Sequence, residues 1–292
     1  MTLTDYLAQH YTTATARGYA FEIEHYLVYL GGEERAVSVG YSDVVSYLIY
    51  LRKRYDNAAT VRRVLFAVKA YHRYLLATGK RADHPASRLR LRDVAARTQV
   101  QCQDLMSKAE LAMLQAPRRE RYPLLARRNA VIIGLLVHQA LTAGEIGRLR
   151  IEDIDLAKAA VKVAATKRLL ARTLPLAAPQ IMALHAYLIQ DRPQLLRDDT
   201  DALILTSRGT AEGGEGIHYL VETLRPLLPG KRLTPTVIRQ SVIALKLKAG
   251  GGLRQVQAFA GHKKVSTTEG YRETNLEELR RVVDLFHPLA TD

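Results

Sequence analysis

Three segments near the C-terminus of this 292-residue chain carry side chains that can do chemistry. Leu233-Thr-Pro-Thr-Val-Ile leads to Arg239, the pair Gly261-His262 follows, and Ser266-Thr-Thr-Glu-Gly leads to Tyr271. A phenol can act as a nucleophile, and a planar guanidinium can hold phosphate oxygens. Each residue type also has a structural explanation, because a tyrosine is often a half-buried aromatic and a histidine can occupy a turn. The residue types alone therefore leave a chemical role open.

The order and spacing of these segments closely resemble the tyrosine recombinase, or phage integrase, family. Its usual pattern is Thr-Pro-His-x-Leu-Arg-His, then Gly-His, then Ser-Thr-Thr-x-x-Tyr. Upstream, Ala140-Leu-Thr-Ala-Gly-Glu-Ile146 is similar to the family's Gly-Leu-Arg-x-Ser-Glu-Leu. Ala165-Thr-Lys-Arg168 with Leu174-Pro-Leu176 is similar to its lysine-bearing β-hairpin, and the ending, Leu285 to Ala290, resembles the Xer branch. The resemblance extends over the chain from Ala14 onward.

The resemblance implies a role for each matching residue. Tyr271 is expected to attack a DNA phosphodiester and form a 3′-phosphotyrosine bond, which conserves energy for rejoining. Arg239 is expected to hold a non-bridging phosphate oxygen, and His262 to hydrogen-bond the same phosphate. Lys167 is expected to protonate the departing 5′ oxygen. Glu145 is expected to support the residues that contact the phosphate, without contacting it directly. Four neighbouring basic residues are further candidates for DNA binding: Arg168, Arg172, Lys263 and Lys264.

Three positions depart from the family pattern. Thr142 stands where the family has its first arginine, Thr236 where it has the histidine of His-x-x-Arg, and Gln240 where a histidine often follows. Losing one oxyanion-hole donor typically lowers a rate by about 10²–10³. Two losses predict much slower cleavage unless another cation substitutes. Two arginines lie on the lysine-bearing hairpin, and Arg168 is the predicted substitute rather than Arg172, because it adjoins the lysine.

Site-specific DNA recombination, by strand cleavage and rejoining, is the leading prediction, and two other classes stay open. A non-enzymatic DNA-binding protein of the same fold would explain Thr142 and Thr236, but it has no evident need for Tyr271. A type IB topoisomerase shares the nucleophile chemistry, but a relaxing enzyme has no need of the Xer-like tail. The sequence does not distinguish integration from excision, dimer resolution or inversion.

Helical periodicity dominates the elements that must position these residues. Apolar residues recur at helical spacing from Ala14 to Leu76, interrupted by the turn signals Gly31-Gly32 and Asp56-Asn57. This pattern predicts a small all-helical domain of four or so helices with basic outer faces.

A second domain is predicted to begin at Ser107-Lys-Ala-Glu110, which has the form of a capping box. Helices are predicted from Asn129 to Val137 and from Ala143 to Leu149, and a β-hairpin from Val161–Val163 and Thr173–Leu176. Further helices follow.

The predicted fold class is mainly α with a small β-sheet (α+β), and the resemblance implies its domains. Residues 1–95 would form a SAM-like helical core-binding domain, 96–106 a linker, and 107–274 a mixed α/β catalytic domain. Residues 275–292 would form an oligomerisation helix that docks on a neighbouring protomer, giving a tetramer on DNA. Docking of this helix on its own domain is the alternative.

The composition indicates the partners. The formal net charge of +14 favours a polyanion, because neutralising phosphates releases condensed counterions. A polyanion is therefore an expected partner, and the resemblance implies double-stranded DNA and further copies of the chain. The single cysteine, Cys102, excludes an internal disulfide and a cysteine-based zinc site. No metal or nucleotide motif is visible, so no cofactor is expected.

The longest apolar run, Ala130 to Val137, is too short to span a membrane, which predicts a cytoplasmic, nucleoid-associated protein.

Overall fold

The computed structural model describes residues 1–91 and 102–271. The chain divides into two compact units, Met1–Thr98 and Gln99–Asp292, called here the N-terminal and C-terminal units. The predicted oligomerisation helix, residues 275–292, lies outside the described residues, as does most of the predicted linker.

The N-terminal unit is all-helical over its described residues. Its five helices are α1 (Leu3–His10), α2 (Thr13–Leu30), α3 (Glu33–Ser38), α4 (Tyr41–Arg54) and α5 (Ala58–Ala77). The sequence predicts four or so, and α3, with six residues, is too short to show a period.

Helix ends in this unit coincide with the predicted turns. Gly31 ends α2 in the left-handed region at φ +89°, where glycine has no Cβ to clash. Asn57 caps α5 by accepting a hydrogen bond from the Ala59 backbone N–H. Apolar stripes then meet in one core, where Tyr26 and Val64 are fully buried.

The C-terminal unit is mainly helical, with one small sheet. Its helices are α6 (Lys108–Gln115), α7 (Ala126–Gln139), α8 (Ala143–Ile146), α9 (Ala178–Ala186), α10 (Arg192–Leu195), α11 (Glu215–Glu222), α12 (Pro235–Lys248) and α13 (Leu253–Ala260). Residues 265–271 are also helical. The predicted capping box is present, since Ser107 and Glu110 exchange side-chain and backbone hydrogen bonds. The mainly α fold with a small sheet is confirmed.

The sheet contains the predicted hairpin. Its strands are β1 (Ile154–Asp155), β2 (Ala160–Val163) and β3 (Arg172–Pro175), all antiparallel in the order β1-β2-β3. Val161 pairs with Leu174, and both side chains are buried while Lys162 is exposed. This alternation places one face of the sheet on the core.

Helix α8 is shorter than the sequence predicts, ending at Ile146 instead of Leu149. Its last turn tightens, because the Arg148 N–H bonds to the Glu145 carbonyl and the Leu149 N–H to the Ile146 carbonyl. A loop also packs closely here, since a Cβ at Gly147 would lie 2.8 Å from the Glu212 carbonyl oxygen.

Helix α7 is the apolar centre of the C-terminal unit. Ile132, Leu135 and Leu136 are fully buried within it, packed among residues from the surrounding helices and the sheet. Within residues 1–91 and 102–271, no helix is both long and apolar enough to cross a membrane.

Candidate active site

Tyr271 lies in the helical segment 265–271, with its side chain inside the C-terminal unit. The residue is 8% exposed. Burial raises the pKa of its phenol. The Arg239 guanidinium and a hydrogen bond with the Gln240 side chain offset only part of this increase. The phenol therefore keeps its proton at neutral pH, and its use as a nucleophile needs a proton acceptor.

His262 lies beside the tyrosine. Its ring centroid is 6.1 Å from that of Tyr271, with the ring planes 11° apart. Its Nδ1 atom is 2.9 Å from the Thr268 hydroxyl oxygen. Burial, with a smaller contribution from the charges of Arg239 and Arg172, lowers the pKa of His262 to about 4. The imidazole is therefore neutral at physiological pH.

Arg239 projects from α12 into the same cluster and is 6% exposed. Its Nη1 donates to the Ala140 carbonyl and its Nη2 to the Ala260 carbonyl. Ala140 adopts the left-handed region at φ +52°, an uncommon conformation for a residue with a side chain. Burial lowers the pKa of Arg239, which Glu145 opposes, but a guanidinium stays charged in proteins.

Thr142 and Glu145 form a capping box at the start of α8. The Thr142 backbone N–H and hydroxyl donate to Glu145 Oε2 at 2.9 and 3.0 Å, and the Glu145 N–H donates to the threonine hydroxyl at 3.1 Å. Glu145 is 2% exposed. Thr142 therefore supplies the cap of this helix, and no positive charge.

Two guanidinium groups share the Glu145 carboxylate. Arg172, the first residue of β3, donates from Nη1 to Oε1 at 2.7 Å, and its side chain is 6% exposed. Arg239 Nη1 lies 3.7 Å from Oε2. Burial would raise the pKa of Glu145, but hydrogen bonds from Arg172 and Thr142 and the two positive charges lower it below its ordinary value. The carboxylate is ionised, so Arg172, Arg239 and Glu145 together have a net charge of +1.

Comparison with known proteins identifies the family of this chain. The sequence model of the phage integrase family matches residues 98–278. The chain belongs to the phage integrase family. The tyrosine recombinase XerC of Roseiflexus castenholzii is 31% identical over 90% of this chain and 84% of that protein. XerC of Roseiflexus sp. strain RS-1 is 29% identical over 89% of this chain and 83% of that protein. The chain is a tyrosine recombinase homologue of Xer type.

Solved structures show the same fold. The XerH recombinase bound to palindromic difH substrate gives a TM-score of 0.68 at 17% identity, covering 91% of this chain and 77% of that one. The XerA recombinase gives a TM-score of 0.52 at 22% identity, covering 98% of this chain and 97% of that one. At these identities the likeness establishes the two-domain fold of the family.

The lysine-bearing loop is attached to the cluster by its backbone. Leu169 forms a β-bridge with His262, and the Leu170 N–H donates to the Gly261 carbonyl at 2.8 Å. Lys263 donates from Nζ to the Lys167 carbonyl at 3.2 Å. The loop therefore sits beside His262, although the side chain of Lys167 is exposed.

The structure brings Arg172 to the cluster, and leaves Arg168 exposed. Arg168 as the substitute cation stays a prediction, and Arg172 is the hairpin arginine that lies in the cluster. Strand pairing is the reason, because β3 begins at Arg172 and places that side chain against Gly261. A Cβ at Gly261 would lie 2.7 Å from Arg172 Nη1, so any other residue here would displace the guanidinium from its present position.

The other candidates lie around the cluster. Thr236 is exposed in the first turn of α12, and Gln240 is half-buried beside the tyrosine. Lys263 and Lys264 are exposed. Sequence reasoning missed Thr268 as the partner of the site histidine, although its Ser-Thr-Thr segment was part of the recognised pattern. Geometry alone assigns none of these residues a role in the reaction, so their roles stay predictions.

Proposed function

We propose that this protein is a site-specific DNA recombinase that cleaves and rejoins duplex DNA through Tyr271. The convergence of Tyr271, His262 and Arg239 around one buried, positively charged cluster is the observation that supports this function. The three residues lie on separate elements, and only the fold brings them together. A scissile phosphate at this cluster would meet a nucleophile and a guanidinium at once.

Cleavage would follow from the groups present. The Tyr271 phenol oxygen forms a bond to phosphorus, and the bond from phosphorus to the 5′ oxygen breaks. The phenol proton passes to water, and neutral His262 donates a hydrogen bond to the phosphate. The departing 5′ oxygen takes a proton from Lys167. Rejoining reverses these steps with a 5′ hydroxyl as the attacking group.

Arg239 has hydrogen-bonding capacity left for a phosphate. A guanidinium carries five N–H donors, and the Ala140 and Ala260 carbonyls take one each. Both carbonyl contacts fix the guanidinium before substrate arrives. A preorganised cation in a water-poor site stabilises the extra charge of the pentacovalent transition state.

Double-stranded DNA is the proposed substrate, bound by a tetramer. The net charge of +14 suits a phosphate backbone, and solved relatives include XerH bound to difH and a Tn1549 transposon integrase bound to circular intermediate DNA.

The tail sequence carries an apolar stripe: Val282, Val283, Leu285 and Phe286. A groove between α6, α7 and α12 offers a surface of matching chemistry on a neighbouring protomer, lined in part by Leu111, Val137, Val242 and Leu245.

A DNA-binding protein without cleavage activity is the second candidate. Thr142 and Thr236 favour it, because neither brings a charge to the position where the family has an arginine and a histidine. Tyr271 argues against it, because a binding protein needs no phenol beside a positively charged cluster.

Trapping of a covalent adduct tests the proposal. A duplex selected from random-sequence DNA by binding to the protein is nicked at successive positions, so that cleavage near a nick releases a short strand and prevents rejoining. We expect a protein–DNA adduct that resists denaturation with the unaltered chain and none with Tyr271→Phe. Binding of the selected duplex by both proteins is the control for folding. Binding without any adduct would favour the second candidate.

A further inference from the structure

We propose that Arg172 binds the scissile phosphate in place of the missing first arginine of the family. The inference rests on the proposed function, and it assigns to this chain a second phosphate-binding guanidinium on a different element from the usual one. In this site Thr142 caps α8 and brings no charge. A second positive charge, besides that of Arg239, comes from Arg172 at the start of β3.

The hydrogen bonds of Arg172 leave one of its nitrogens unused. Nε donates to the Phe259 carbonyl at 2.8 Å, and Nη1 donates to Glu145 at 2.7 Å. Nη2 is buried and has no hydrogen-bond partner among the residues that the structure describes. Buried donors are almost always paired in native proteins, so an unpaired one on a charged group is a position where a ligand can bind.

Charge in the cluster indicates that this ligand is an anion. Arg172 and Arg239 are both buried and charged, and Glu145 provides one negative charge between them. The Arg172 charge also lowers the pKa values of Arg239 and His262, which shows that all three groups share one electrostatic environment. One phosphodiester carries the single negative charge that this cluster lacks.

The surroundings of Arg172 fix its orientation. Thr142 holds one oxygen of Glu145 and Arg172 holds the other, so the carboxylate cannot rotate without breaking both contacts. Gly261, which precedes the site histidine, leaves room for the guanidinium because it has no Cβ. Arg172 is therefore attached by two of its nitrogens next to the proposed phosphate-binding groups, with the third nitrogen available.

A purely structural role is the competing explanation, because Arg172 also joins β3 to α8 and α13. Methylphosphonate DNA separates the two roles, since a methyl group replaces one phosphate oxygen and removes the negative charge at a single position. A residue that balances this charge matters less on the neutral linkage. A residue that only supports the fold matters equally on both.

The cleavage test compares adduct formation on nicked selected duplex with a phosphate or a methylphosphonate at the scissile position. Arg172→Ala should slow adduct formation about 100-fold or more on the phosphate, and by a much smaller factor on the methylphosphonate. Arg172→Lys, which keeps a charge but not the planar fork, should fall between Arg172→Ala and the unaltered chain.

Arg192→Ala is the matched control. Arg192 is buried in the same unit and donates to the carbonyls of Thr200 and Ala202, so its loss also costs buried hydrogen bonds. We expect it to lower the melting temperature and to change both adduct rates by the same factor. If Arg172→Ala also changes both rates by the same factor, Arg172 is structural and the proposal is wrong.

A binding measurement keeps the proposal testable if the chain does not cleave. Methylphosphonates are placed at each phosphate of the selected duplex in turn, and affinity is measured with Tyr271→Phe and with Tyr271→Phe carrying Arg172→Ala. We expect one position where neutralisation weakens the first protein several-fold and leaves the second unchanged. Such a position without any adduct would support Arg172 while overturning the cleavage function. If no position distinguishes the two proteins, the proposal is overturned.

Discussion

Thr142 and Glu145 hold each other by reciprocal hydrogen bonds, with the threonine hydroxyl 3.0 Å from the carboxylate oxygen Oε2. The position at which the family has an arginine is therefore integrated into the cap of α8. The same carboxylate pairs with Arg172, so the helix cap and the cationic cluster meet at one side chain. A change at Thr142 should affect both stability and the site.

Removing the cap gives the first prediction. Thr142→Ala should lower the free energy of unfolding of the C-terminal unit by about 1 kcal/mol, because the Glu145 N–H loses its acceptor and the Glu145 carboxylate loses the hydroxyl donor. A decrease in melting temperature of roughly 2–4 °C would correspond to this. Thr142→Ser keeps the hydroxyl and should stay close to the unaltered chain. Equal melting temperatures for the alanine and serine variants would show that the cap contributes nothing.

DNA binding should depend strongly on salt, whether or not cleavage occurs. The basic surface is independent of the altered site positions, and each neutralised phosphate adds about −0.9 to the slope of log affinity against log salt concentration. Lys263→Ala and Lys264→Ala should each reduce the steepness of that slope by about one. Lys158→Ala is the control, because this exposed lysine pairs with Asp155. A slope near zero for the unaltered chain would contradict a phosphate-binding role.

Deletion of the chain after Thr274 tests the predicted oligomerisation helix. The shortened protein should bind a single half-site nearly as well as the intact one, but should assemble poorly on a full site, because the apolar stripe of the tail is lost. Gel-shift titrations on half and full sites measure both properties. Assembly equal to that of the intact protein would mean that the tail packs on its own domain.

Acid should destabilise the N-terminal unit through His72. The ring is 0% exposed and its Nε2 lies 3.1 Å from the Tyr26 hydroxyl. Burial, followed by the charges of Arg81 and His84, lowers its pKa to about 4, with Asp83 opposing. The unfolded chain takes up a proton as the pH falls below about 6.5, whereas the folded chain does so only near 4. Stability should therefore fall with pH across this window, by up to roughly 1.4 kcal/mol per pH unit.

Denaturant unfolding of the N-terminal unit between pH 7.5 and 4.5 measures this slope. His72→Gln can still hydrogen-bond the tyrosine but does not titrate, so the slope of this variant should be shallower. His10→Gln, at an exposed histidine of the same unit, is the control. An unchanged slope in His72→Gln would show that other groups cause the acid sensitivity.

Local signals predicted much of the architecture. Gly31 and Asn57 act within their own helix ends, and the Ser107–Glu110 capping box is contained in four residues, so their sequence patterns are sufficient. The hairpin also follows from local alternation. The early end of α8 was not predictable, because Gly147 packs against a loop that is distant in sequence.

The choice between the two hairpin arginines also depends on distant contacts. Arg168 and Arg172 are equivalent by type and close in sequence. Only Arg172 meets the Phe259 carbonyl and Glu145, and Gly261 makes room for it. The sequence predicts a substitute cation on this hairpin, and the strand pairing determines which of the two arginines lies in the cluster.

Restoring the two family residues is the sharpest test of whether the natural chain cleaves DNA. Thr142→Arg combined with Thr236→His should raise adduct formation on nicked selected duplex, because each adds a donor for the phosphate. The gain should be smaller than the sum expected for two new ligands, since Arg172 already provides a cation and neighbouring substitutions are not additive. It should come with the loss of the Thr142 cap and a lower melting temperature. Adding Tyr271→Phe to the restored protein should abolish the adduct, which separates chemistry through the phenol from any other crosslink. If the natural chain gives no adduct and the doubly restored chain does, the natural protein is a DNA-binding module, and the proposal of an active recombinase is wrong.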